Sequence, residues 1–137
     1  MLDFFQQRFA YIHQLNLSWM VHLMKDDQDL PWDIKKVVSH LINAQHIAVC
    51  GILDLEIESN LDDVLPEQYW EQLERDNQQQ WLNVFMQYNQ GIQTNTEWLT
   101  PLLFKALHEN AQYIGQLKLL LKQHGIELFD ETLLHVN

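Results

Sequence analysis

The sequence predicts an all-α fold, a four-helix bundle, and three observations carry that reading. Apolar residues recur at helical spacing in four long segments. Turn formers are scarce, with four Gly and three Pro in 137 residues, which argues against a turn-rich β fold. The length suits one domain, residues 1–137, able to enclose a sizeable core.

The first helix is expected near 3–25, where Phe5, Phe9, Ile12, Leu15, Trp19 and Leu23 fall on one broad face before the acidic stretch KDDQDLPWD closes it. The second is expected near 33–53, with Asp33 as N-cap and Ile34, Val37, Val38, Leu41, Ala48 and Ile52 as its buried stripe. Residues 54–67, DLEIESNLDDVLPE, then carry six acids and no base. They lack the Asp-x-Asp-x-Asp-Gly spacing of a calcium loop and are expected to be a solvated connection. The third helix, near 67–89, keeps Trp70, Leu73, Trp81, Val84, Phe85 and Tyr88 in register, with RDNQQQ as an exposed face. Thr100-Pro101 opens the fourth, near 100–123, and Gly125 stops it. The remaining stretch, IELFDETLLHVN, is too short for another bundle helix. Two of the links are long enough to allow parallel neighbours.

Charge narrows the partners. A formal charge of −11 repels phosphate backbones and anionic lipid surfaces, so nucleic acid is not expected as a partner. No stretch approaches the apolar length of a membrane span, and MLDFFQQRFAYIHQ lacks a basic region followed by an apolar run, which together suggest a cytoplasmic protein. The lone Cys50 lies in an apolar helical run and is read as a buried thiol. Five Trp and six Phe exceed what a small bundle readily hides, which suggests a homodimer.

Bundles place ligand and metal sites on inward polar side chains. On the fourth helix, winding at about 100° per residue puts Glu109, Asn110 and Tyr113 on a stripe with Leu102, Ala106, Leu117 and Leu120, while His108 turns outward. On the second helix His40 sits at the shoulder of the apolar face, and His46 points elsewhere. On the first, His22 is read as a hydrogen-bonded core residue rather than a ligand. Ser39 and His40 lie in different directions around their helix and form no nucleophilic triad.

Two stretches, VVSHLINAQHI and LLFKALHENAQYIGQLKLLLKQHGIE, together with the four-helix plan, resemble the DinB/YfiT-like superfamily of bacterial four-helix-bundle proteins. The likeness spans essentially the whole chain; its markers are Ser-His-x-x-x-Ala at 39–44 and Gly115-Gln116 followed by a Leu-rich run. The resemblance implies a divalent cation, zinc or nickel, held by a second-helix histidine and a His-x-x-x-His pair on the fourth helix, and in some members transfer of low-molecular-weight thiols. His40 matches the first ligand. Counting back from Gly115-Gln116, the histidine pair falls on Glu109 and Tyr113, so two of the three ligands are replaced. A neutral tyrosine is a poor third ligand.

Three readings of His40, Glu109 and Tyr113 follow: an altered metal site, a hydrogen-bonded cluster inside the bundle, or a metal-free polar pocket for a small ligand. The functional classes divide accordingly. One is a non-catalytic or small-ligand-binding homodimer. The other is a metal-dependent enzyme of the thiol-transferase type with an unusual His/Glu/Tyr shell.

Overall fold

A computed structural model describes residues 2–25, 29–91 and 97–134. It contains four helices, α1 Leu2–Met24, α2 Trp32–Leu53, α3 Trp70–Asn89 and α4 Leu99–Gln123, with single 3₁₀ turns at Glu67–Tyr69 and Glu131–Leu133. Among the described residues there is no strand, and no helix is long and apolar enough to cross a membrane.

The apolar stripes close on one another in two clusters. The first joins Leu15, Trp19 and Leu23 of α1 to Ile34 and Val38 of α2, Trp70 of α3, and Leu117 and Leu121 of α4. The second joins Phe5 and Phe9 to Val49, to Trp81 and Phe85, and to Leu99 and Leu103. The early half of α1 thus shares an end with the early half of α4 and the late halves of α2 and α3, so α1 and α4 run one way and α2 and α3 the other. Packing is closest between α2 and α4, then α1 with α3 and α2 with α3; α1 and α4 meet only loosely.

Parallel α2 and α3 explain the long link. The 22 residues of α2 span about 33 Å, and the chain must return that distance before α3 begins; residues 54–66, extended, reach about 43 Å. This link runs back along α2 and is clasped to it. Ser39 Oγ accepts the Leu65 N–H, Asn43 Nδ2 donates to the carbonyls of Leu61 and Asp63, and His46 Nε2 accepts the Glu58 N–H. The link is largely exposed, as its acids suggest, but it is tethered along its length.

The helix ends differ from expectation in small ways. Pro31, extended at φ −55° and ψ 147°, precedes α2 and its carbonyl accepts the N–H groups of Ile34 and Lys35. Asp33 is therefore inside the first turn rather than at the cap. There its carboxylate meets His124 Nε2 at 3.0 Å, and this hydrogen bond holds its pKa below the usual value. Thr100 and Pro101 also lie within a first turn, because α4 starts at Leu99; proline is tolerated there since that turn's N–H groups have no helical acceptor. Residues 67–69 form a 3₁₀ turn, and α3 proper begins at Trp70. Gly125, at φ +68°, ends α4 as expected, with Ile126 N–H returning to Leu121 O and Gly125 N–H to Lys122 O. Residues 26–28 of KDDQDLPWD and 92–96 before α4 lie outside the described residues.

The α1 stripe is as expected. On α2, Ala48 and Ile52 are only half-buried, and Ile42, Gln45 and Val49 carry the inward face; on α3, Leu73 is half-buried and Asn77, inside the RDNQQQ run, is buried and donates to Ile42 O. The α4 stripe is displaced by about one residue: Leu99, Leu103, Ala106, Asn110, Ile114, Leu117 and Leu121 face inward, while Leu102 is exposed and Leu120 half-buried.

Candidate functional site

Between the two apolar clusters lies a layer of polar side chains drawn from all four helices. Glu74 of α3 is fully buried at its centre. Its Oε1 accepts from His13 Nδ1 at 2.9 Å and Asn16 Nδ2 at 2.7 Å, and its Oε2 accepts from Gln45 Nε2 at 2.8 Å. Asn16 also exchanges hydrogen bonds with Asn110 on α4, at 2.9 and 3.2 Å. A buried carboxylate demands such donors. Asn110 was an inward candidate from the sequence; His13, Asn16, Gln45 and Glu74 were not. Their signal is helical phase: Glu74 and Asn77 stand four and seven residues after Trp70, on the line that leads to Trp81.

Of the residues singled out by sequence, His40, Glu109 and Tyr113 lie outside this layer, on the flank of the α2/α4 seam. The one-residue displacement of the α4 stripe is the reason: it keeps Asn110 inward but leaves Glu109 and Tyr113 half-buried, with His108 exposed. The His40 and Tyr113 rings do meet, edge to face, with centroids 5.9 Å apart. His40 Nε2 bonds Asp62 of the link at 3.1 Å, and Glu109 faces Lys105 at 3.7 Å. The expected convergence inside the bundle is thus corrected to a ring pair and a neighbouring carboxylate along a half-open seam. His22 lies apart from them, bonded to Glu127 O at 2.7 Å and packed near Trp19 and Phe129.

These donors do not fit the three-histidine metal group that the resemblance implies. Burial, then the Glu109 and Asp62 carboxylates, push the Tyr113 hydroxyl above its ordinary 10.0, so it stays neutral. His40 and Glu109 are engaged elsewhere, and among the described residues no three His, Cys, Asp or Glu side chains form a ligand set.

The Tyr113 shift has a measurable consequence. A folded-state pKa raised above the unfolded value gives stability that is whole below the unfolded pKa and is lost as pH rises through the folded one. Urea denaturation at about pH 9 and about pH 11 should therefore show a smaller alkaline loss for Tyr113→Phe than for the parent. Equal losses would remove Tyr113 as a cause.

Two openings flank α2. The larger, about 700 Å³, lies between α2, the link and α3 and includes His46 and Cys50. Its buried polar groups are already paired: Asn43 with the link and Ser59, Asn77 with Ile42 O, and the Cys50 thiol with His46 Nδ1 at 3.6 Å. Burial, aided by Glu58, pushes the Cys50 thiol up, so it is a weak nucleophile. The smaller opening, about 220 Å³, is a cleft between α2 and α4 walled by Ala44, Ile47, Ala48, Leu61, Leu102 and Ala106. Lys105, Glu109 and Tyr113 supply its polar groups.

Behind that cleft a cavity of about 10 Å³ shares Ala44, Ala106, Glu109 and Tyr113 with it and reaches Gln45 and Asn110. Gln45 is 5% exposed, and its Oε1 has no hydrogen-bond partner among the described residues. An acceptor buried without a donor costs about 1–3 kcal/mol. The α2/α4 cleft therefore has apolar walls, a carboxylate at its side and a buried acceptor residue in the cavity that adjoins it. Compared with family models, with curated proteins and with solved structures, the chain matches none.

Proposed function

We propose that this chain is a DinB-like helical bundle that binds a small ligand, without catalysis of its own, in the α2/α4 cleft. The observation that carries this reading is the unpartnered Oε1 of Gln45, a residue that lines a small cavity adjoining an apolar-walled cleft. The four-helix order and the segments 37–47 and 102–127 support the DinB-like assignment. The absence of catalysis is supported by the state of the nucleophiles: Ser39 Oγ is tied to Lys35 O and Leu65 N, and the Cys50 thiol is held protonated. Exposed Phe4 and Phe104, linked through buried Phe5, form an aromatic patch that supports the homodimer.

A small-fragment panel observed by NMR tests the reading. Fragments should shift amides along 44–48 and 102–113, and Ile47→Trp, which fills the cleft, should abolish those shifts, while light scattering on the same samples should give twice the 16.4 kDa chain mass. Shifts that persist undiminished in Ile47→Trp would place binding elsewhere.

A further inference from the structure

The geometry points to a small primary alkylammonium ion as the ligand of the α2/α4 cleft, its ammonium group seated in the inner cavity against Gln45 Oε1 and the Glu109 carboxylate. This inference rests on the reading of the cleft as a ligand site and names the chemistry of what enters it.

Size is the first argument. The inner cavity, about 10 Å³, is close to the smallest space that admits one water molecule, and an ammonium group is of comparable size. The outer cleft, about 220 Å³ and apolar on most of its wall, suits a short alkyl chain. Hydrogen-bond polarity is the second. An ammonium group has three donors and no acceptor, and the cavity offers acceptors: the unpartnered Gln45 Oε1, the Glu109 carboxylate and the Tyr113 hydroxyl. Asn110 is engaged with Asn16, giving one Nδ2 hydrogen to its Oδ1 and accepting from its Nδ2.

Charge is the third argument. Glu109 is 31% exposed at its side chain, and the cation beside it, Lys105, stands 3.7 Å away on the rim and is itself 71% exposed. Such an exposed pair is weak and yields readily to an ammonium held on the buried side. A carboxylate ligand would meet Glu109 and Gln45 Oε1 with like polarity. The net charge of −11 further favours approach of a cation.

The test is titration of ¹⁵N-labelled protein with n-butylammonium chloride, n-butanol and sodium butyrate at constant ionic strength near neutral pH. Butylammonium should bind at least about tenfold more tightly than either control, the ratio one charge-assisted hydrogen bond supports, and should shift the amides of Ala44, Ala48 and Ala106. Glu109→Gln should bring its affinity down to that of butanol while the rest of the spectrum stays in place. The comparison of the three probes in the parent protein needs no variant, so it stands even if Glu109→Gln fails to fold. Retained tight binding in a folded Glu109→Gln would overturn the seating of the ammonium. If butanol or butyrate binds as well as the amine and Ile47→Trp abolishes that binding, the amine is wrong and the cleft remains a ligand site. If none of the three shifts the cleft amides, both readings fall and the inner cavity holds water only.

Discussion

Glu74→Ala is expected to cost about 3–5 kcal/mol, because removing one partner of a buried polar cluster strands the others. Three donors, His13 Nδ1, Asn16 Nδ2 and Gln45 Nε2, would lose their acceptor at once in a layer closed above and below by apolar clusters. A domain this size has about 5–15 kcal/mol in total, so the variant should sit close to unfolding. Glu74→Gln should cost much less. Its amide oxygen can keep His13 and Asn16, and Gln45 can turn its own amide so that the free Oε1 accepts the new N–H. Urea denaturation followed by circular dichroism separates the two. A loss under about 1 kcal/mol for Glu74→Ala would mean that the layer does not hold the helices together.

Trp81→Ala is expected to be comparably severe, about 3–5 kcal/mol, from the transfer and cavity terms of a fully enclosed indole. Trp81 is 1% exposed and packs on Phe9 with ring centroids 4.4 Å apart. The informative comparison is with Trp70, which is as deeply buried in the other cluster but donates from Nε1 to Leu65 O at 3.0 Å. The Trp81 Nε1 has no partner among the described residues. Trp81→Phe therefore has no hydrogen bond to lose, whereas Trp70→Phe loses one and leaves the carbonyl that fixes the end of the link unpaired, an extra cost of about 0.5–1.5 kcal/mol. The same denaturation experiment on both Phe variants checks this; a larger loss at Trp81 would contradict it.

Much of the fold was legible because the large apolar residues of α1 and α3 mark their helical phase unambiguously. Phe5, Phe9, Ile12, Leu15, Trp19 and Leu23 admit one stripe, and all six are buried. α4 is different. Adjacent leucines at 102–103 and 119–121 spread apolar character over a wide arc, so the phase could slip by a residue without violating the pattern, and it did. That slip decided the candidate site: it promoted Glu109 and Tyr113 to the core beside Asn110, whose partner Asn16 lies on another helix. The polar layer was harder still to read, since one His, one Asn, one Gln and one Glu on three helices look like surface residues until tertiary packing brings them together. The role of His40 was obscured for another reason. Its partner Asp62 sits in a link whose acids suggest only solvation, and nothing local in the sequence shows that the link returns along α2.

In the reading proposed above, the α2/α4 cleft, with Gln45 in the cavity that adjoins it, receives a small amine. Intermolecular nuclear Overhauser effects between n-butylammonium and the protein's methyl groups test it most directly. Contacts are expected from the butyl chain to Ala44, Ile47 and Ala106, which line the cleft. Contacts to Ile42 and Leu73, in the larger opening on the other side of α2, would contradict it.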